Sequence, residues 1–186
     1  MQPNRIALIV WCAAVTLDVH SCFSDEPQRR AENKEGPMNE FRVTSPAFTD
    51  AGPIPARFTA DGANINPELR ITGIPERTKS LALIMDDPDA PHGTWVHWVL
   101  WDISPETTVI AEGSEPQASV SGRNGWGRTG YGGPSPPSGT HRYFFKLYAL
   151  DDVIDLPRGG DAAELERAMA GHVLGEAQLM GTYTRN

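Results

Sequence analysis

Thr94-Trp95-Val96-His97-Trp98-Val99-Leu100-Trp101-Asp102-Ile103 (TWVHWVLWDI) is apolar on both of its alternating faces. That is the pattern of a strand covered on both sides, as a central strand of a sandwich is. On a period of two, Trp95, His97, Val99 and Trp101 share one face. Upstream, Ser80 to Met85 (SLALIM) is a short apolar run ending in Asp86-Asp87-Pro88, which reads as a buried strand entering a loop. Downstream, His141 to Leu150 (HRYFFKLYAL) is a further strand rich in aromatics. Phe41-Arg42-Val43-Thr44 begins a short strand before turns at Pro46, Pro53 and Pro55, and Asp61-Gly62 and Asn66-Pro67 are turn signals. One helix is expected. Asp161 caps it with Glu164 three residues on, a capping-box arrangement. Leu165, Met169 and Val173 then form a stripe that would pack on the sheet.

Bulk properties agree with a β-rich single domain. Of 186 residues, 39% are hydrophobic and 22% charged, ordinary values for a globular chain long enough to bury a core. The 18 glycines and 16 prolines favour short strands joined by turns over a helical bundle. A formal charge of −8 argues against binding a nucleic-acid polymer, so an anionic ligand would have to be held by a few local donors. Cys12 and Cys22 both precede the domain, which leaves its body without a disulfide or a thiolate metal cluster; no cofactor or metal is expected.

The first residues read as a leader. Met1 to Arg5 carries one positive charge, and Ile6 to Leu17 is an apolar run too short to span a bilayer comfortably. Val19-His20-Ser21-Cys22 is similar to the lipobox of bacterial lipoproteins, so lipidation of Cys22 and plain secretion after cleavage near Ser21 both stay open. The expected organisation is a signal peptide over 1–21, a flexible tether over 22–39 and a domain over 40–186. The chain would be exported, as a periplasmic, secreted or lipid-anchored protein, and would meet a membrane only through that anchor.

Three segments carry chemistry. Asp86-Asp87-Pro88-Asp89-Ala90-Pro91 has carboxylates directed by stiff prolines, although an Asp-Pro cluster alone is ordinarily a turn. His97, among large apolar side chains, would ordinarily be a neutral core residue; a neighbouring carboxylate would instead favour its imidazolium. Gly122 to Tyr143 (GRNGWGRTGYGGPSPPSGTHRY) has seven glycines before His141 and Tyr143, which point to one face of their strand. Glycines allow backbone N–H groups to approach an anion, and His and Tyr add donors. A loop this long in a compact domain tends to be functional.

Together these segments resemble the phosphatidylethanolamine-binding protein (PEBP) family, and within it the bacterial proteins described as Raf-kinase-inhibitor-like. The carriers are Asp87-Pro88-Asp89-Ala90-Pro91, Trp95-x-His97-Trp98, and Gly132-Gly133-Pro134-x-Pro136-Pro137-x-Gly139-x-His141-Arg142-Tyr143. Asp61-Gly62 with Asn66-Pro67-Glu68-Leu69, and the tail from Ala168 to Tyr183, fit further signatures in the expected order. The link from Pro91 to Trp95 is shorter than in the animal proteins, so their kinase-inhibitor surfaces do not carry over.

The resemblance implies a mainly β (α+β) sandwich of antiparallel sheets with a few short helices, one at about 161–174. It also implies a pocket for phosphate-like groups, such as a phospholipid headgroup or nucleotide. Residue by residue, that pocket falls on Asp87, His97, His141 and Tyr143, with Asp89 and Trp95 secondary, and Tyr131, Pro136 and Pro137 at the rim. Asp87 would hold one histidine oriented and charged, and the imidazoles with Tyr143 would grip anionic oxygens.

The reading is a non-enzymatic binding or regulatory protein for a small anionic or phosphorylated ligand. No catalytic residue is assigned: the body has no cysteine and no G-x-S-x-G elbow. Two alternatives remain, a hydrolase using the Asp/His cluster and an inhibitor of a kinase or protease through rim loops, which would give it a protein partner. His92, in a loop, and His172, on the helix, are expected to matter less.

Overall fold

In this computed structural model, which describes residues 40–185, the chain forms β1 (Arg42–Thr44), β2 (Leu69–Thr72), β3 (Ser80–Asp87), β4 (Trp95–Ile103), β5 (Val109–Ile110), β6 (Val120–Ser121), β7 (Gly139–Leu150), α1 (Ala162–Met169) and β8 (Val173–Arg185). The expected leader, Cys22 and tether lie outside the described residues. The strands make two antiparallel sheets, one ordered β1-β2-β5 and one ordered β6-β4-β3-β7-β8.

The smaller sheet covers one face of the larger. Val43, Leu69, Ile71 and Ile110 from the first pack with Leu81, Leu83, Met85, Trp98, Leu100, Phe145 and Leu147 from the second. The opposite face, through Ala82, Ile84, Val99 and Trp101, packs against Leu165 and Met169 of α1. Apolar area removed from water on both faces is the main stabilising term here. It also explains why TWVHWVLWDI and SLALIM are apolar throughout: β3 is buried at every position, and β4 from His97 to Trp101.

Four expectations are corrected. Asp86 and Asp87 belong to β3 itself, not to the loop after it. The period-two face shared by Trp95, His97, Val99 and Trp101 is broken, because the β3–β4 register shifts between Met85↔Trp98 and Asp86↔Val96. The extra residue at that β-bulge is His97, and the bulge frees it from the face of Val99 and Trp101. The helix ends at Met169 rather than near 174: Ala170 already has an extended ψ of 119°, and Gly171 turns the chain with φ of 88°. Consequently His172 lies in a turn, where its Nδ1 is 2.9 Å from Asp151 Oδ1, and Val173 opens β8.

The capping box is present in full. Asp161 Oδ1 accepts from the Glu164 N–H at 2.9 Å, and Glu164 Oε2 accepts from the Asp161 N–H at 2.8 Å. After the helix, β8 runs antiparallel to β7 from Gly139↔Arg185 to Leu150↔Val173. Its far half is covered on the outer edge by residues 51–54, through bonds such as Ile54 N–H to Thr182 O at 2.7 Å.

The helix end is testable by paired truncations. Leu165 is fully buried and Val173 is 38% exposed, so Leu165→Ala should cost about 2–5 kcal/mol and Val173→Ala only about 0.5 kcal/mol. Urea unfolding midpoints check this; equal losses would put Val173 back on the buried stripe.

Candidate functional site

Three neighbouring strands bring their ends together at one edge of the larger sheet. Asp87 ends β3, His97 lies near the start of β4, and His141 and Tyr143 lie near the start of β7. Period two then separates the adjacent carboxylates. Asp87 continues the face of Leu81, Leu83 and Met85. Asp86 turns to the other face, where Lys146 Nζ donates to its Oδ2 at 2.5 Å.

Asp87 is buried and accepts two bonds. His141 Nδ1–H donates to Oδ2 at 2.7 Å, and the Asp89 N–H donates to Oδ1 at 2.8 Å. The first bond fixes the His141 tautomer and ring, leaving Nε2 for whatever enters. His97 is held differently. Its Nδ1–H donates to the Gly132 carbonyl at 2.7 Å, while its own carbonyl accepts from the Gly132 N–H at 2.9 Å. The carboxylate is therefore beside His141 and not hydrogen-bonded to His97. Burial holds the His97 imidazole below its ordinary pKa despite the opposing pull of the Gly132 carbonyl and of Asp87. The neutral ring then presents an unprotonated Nε2.

Tyr143 lies beneath, with its ring edge-on to His97 at 5.2 Å between centroids. Its hydroxyl is buried close to the Asp87 carboxylate and the Ser135 backbone, without a well-formed hydrogen bond to either. Burial, first, and the nearby Asp87 charge push its pKa up, so it stays a neutral hydroxyl.

Asp87, His97 and His141 line a cavity of about 220 Å³, together with Trp95 and Pro137. The other expected residues fall outside that wall. Asp89 instead clamps Arg142, accepting from its backbone N–H at 3.0 Å, its Nε at 2.9 Å and its Nη2 at 2.7 Å. That bidentate pair ties the 88–94 loop to β7 and lowers the Asp89 pKa to about 2. Pro136 is buried behind the rim, where Arg185 Nη1 donates to its carbonyl at 3.2 Å. Tyr131 lines an adjoining hollow, and its hydroxyl donates to Phe58 O at 2.7 Å.

Sequence reasoning missed Trp126 and Ser135, and underrated His92; all three line the cavity. Trp126 packs edge-on against both His97 and Trp95, with centroids 5.1 and 5.5 Å away. An aromatic alone among glycines in GRNGWGRTG was the available signal. The glycine loop also works differently from expectation. The N–H groups of Gly122, Gly125, Gly127, Gly132 and Gly133 already donate to Val99 O, Val96 O, Asn124 O, His97 O and Asn64 Oδ1. Three of these bonds tie the loop to β4, and none of the five N–H groups is left open to an anion.

An antiparallel sheet with two differently tethered imidazoles at its edge, under a smaller sheet, defines the class of domain. Residues 44–184 match the family model described as phosphatidylethanolamine-binding protein, and the chain belongs to that family. It is 54% identical over 144 residues to a UPF0098 protein of Methanothermobacter thermautotrophicus, spanning 75% of this chain and 95% of that one. It is 43% identical over 151 residues to a UPF0098 protein of Chlamydia muridarum, spanning 78% of this chain and all of the other (100%). Among solved structures, a PEBP homologue from Chlamydia trachomatis superposes with a TM-score of 0.76 at 40% identity, covering 80% of this chain and 99% of that one. YbcL of Escherichia coli, described as a member of the mammalian PEBP family, gives 0.74 at 29% identity, covering 79% and 99%.

The Asp89–Arg142 clamp has a pH signature. The folded carboxyl is depressed from 3.8 to about 2, so its stabilisation is fully present above the unfolded value and disappears as pH falls through the folded one. The melting-temperature gap between wild type and Asp89→Asn should therefore close between about pH 4 and pH 2. A gap unchanged across that window would show the clamp contributes nothing.

Proposed function

We propose that this chain is a binding protein for a phosphate-like anionic group, held in the cavity of Asp87, His97 and His141, with Tyr143 buried beneath it. The observation that carries the reading is the convergence, within one small cavity, of two imidazoles each tethered through Nδ1, one to a carboxylate and one to a carbonyl. Each tether leaves Nε2 as the remaining ring nitrogen. A phosphoryl group offers several acceptor oxygens at once, which suits two convergent rings better than a single carbonyl would.

Binding is favoured over catalysis because, among the described residues, no serine, threonine or cysteine side chain hydrogen-bonds to either imidazole. The Asp87–His141 pair orients a ring, but an activated nucleophile needs a further partner within reach of that ring. A phospholipid headgroup and a free phosphorylated metabolite offer the same phosphoryl chemistry.

Titration of the purified chain with inorganic phosphate and phosphorylethanolamine tests the reading. His97→Ala and His141→Ala should each weaken binding at least about tenfold, the scale of one charge-assisted hydrogen bond. Because His141→Ala strands a buried carboxylate, His141→Asn serves beside it as a variant that keeps a donor for Asp87. Equal binding by wild type and folded variants would remove the assignment.

A proton count gives a second check. His97 is neutral at pH 7 before binding, since burial depresses its pKa, and a bound anion favours its imidazolium. Binding of sulfate, which does not itself titrate there, should take up a proton and tighten as pH falls toward 6. Calorimetry in buffers of different ionisation enthalpy reads this uptake, which should fall in His97→Ala. No uptake by wild type would mean that His97 does not meet the anion.

A further inference from the structure

Beside the histidine cavity, the loop over 122–135 encloses a second hollow of about 260 Å³, lined by Asn64, Asn124, Arg128, Thr129 and Tyr131 among others. Trp126 and Ser135 line both hollows, so the two are neighbours separated by one indole and one seryl residue. Neither alone reaches the roughly 300–1,000 Å³ of ordinary small-molecule sites, whereas the pair falls within it.

The second hollow is built to hold its shape. Asn124, buried at its centre, accepts from the Arg128 N–H through Oδ1 at 3.1 Å and donates from Nδ2 to Gly130 O at 3.1 Å. Its own N–H donates to Arg128 O at 2.8 Å. Asn64 adopts a left-handed φ of 55° and accepts from the Gly133 N–H at 2.7 Å. The dividing indole is partly exposed and packs over Gly132, where a Cβ would lie 2.5 Å from the Trp126 ring.

The charge in this hollow is unanswered. Arg128 is exposed and, like Arg123 beside the loop's start, forms no ion pair among the described residues, but of the two only Arg128 lines the hollow. The carboxylate near this loop, Glu115, directs its Oε1 to Trp98 Nε1 and Ser121 Oγ, at 3.0 and 3.1 Å. The Asn64 amide and Thr129 hydroxyl add polar groups to the same lining. In an acidic protein, a guanidinium without a carboxylate partner beside a fixed amide is a recognition element for a carboxylate or phosphate.

We propose that the two hollows form one bipartite site for a small organic phosphate carrying a second anionic group. The phosphoryl group sits against His97 and His141, the second anion against Arg128, and the ligand's body crosses the edge of Trp126. This rests on the anion-cavity reading of the first hollow and adds the class of ligand.

The test compares inorganic phosphate, propyl phosphate and propane-1,3-diyl bisphosphate by calorimetric titration of the full-length chain. Wild type should bind the bisphosphate about tenfold more tightly than propyl phosphate, the scale of one charged hydrogen-bond pair. Arg128→Ala should erase that margin and leave inorganic phosphate binding unchanged. Arg123→Ala, which removes the same charge from outside the hollow, should keep it. A wild type without the margin, or a margin that survives Arg128→Ala, overturns the bipartite site alone. Failure of wild type to bind inorganic phosphate overturns the anion cavity and this inference with it.

Discussion

A carboxylate buried at the end of a sheet must be answered by donors, and much of the site's geometry follows from how Asp87 is answered. Leaving such a charge unpaired would cost about 3–5 kcal/mol. The answer comes from two directions. His141 reaches across from β7, and the Asp89 N–H folds back from the loop that follows β3. Because Asp89 in turn grips Arg142 of β7 with three bonds, loop and strand are locked in one arrangement. The imidazole of His141 thus inherits its orientation from a backbone turn as much as from the carboxylate.

The second imidazole is governed by a different constraint. A one-residue bulge in β4 lifts His97 out of the strand's alternation, and Gly132 clasps it with reciprocal bonds. The site therefore contains one ring set on a carboxylate and one set on a carbonyl. Burial dominates at the latter and favours its neutral form. Two chemically identical side chains so acquire different roles from their surroundings, as paired titratable groups in functional sites commonly do. The glycine loop that supplies the clasp also carries Trp126, which lines both the cavity and the adjoining hollow.

Much of this was legible in the chain. Continuous apolarity in SLALIM and TWVHWVLWDI reported strands covered on both faces, and the Asp161–Glu164 pair reported the helix start. The pattern failed where long-range pairing outweighs local preference. β8, thirteen residues long, includes Gly175, Glu176, Gln178, Gly181 and Arg185, which make a weak strand signal. It is extended because β7 pairs with it throughout and the 51–54 segment covers half its outer edge. Val173 belonged arithmetically to the helical stripe, but Gly171 turned the chain before it. The bulge at His97 left no trace in sequence, since bulge and regular strand differ only in register with a partner.

The sequence by itself determined the layers, the family, and which titratable side chains the sheet edge would carry: Asp87, His97, His141 and Tyr143 are identities, fixed before folding. Only the tertiary structure decided their partners. It gave the carboxylate to His141 and not His97, turned Asp89 and Pro136 into supports, and set Trp126 between two hollows. The physical reason is range. Strand and helix preferences act over a few residues and can be read along the chain. Burial, hydrogen-bond pairing and charge at a site depend on segments 35 to 54 residues apart, as His97–Gly132 and Asp87–His141 are, brought together only by the sheet.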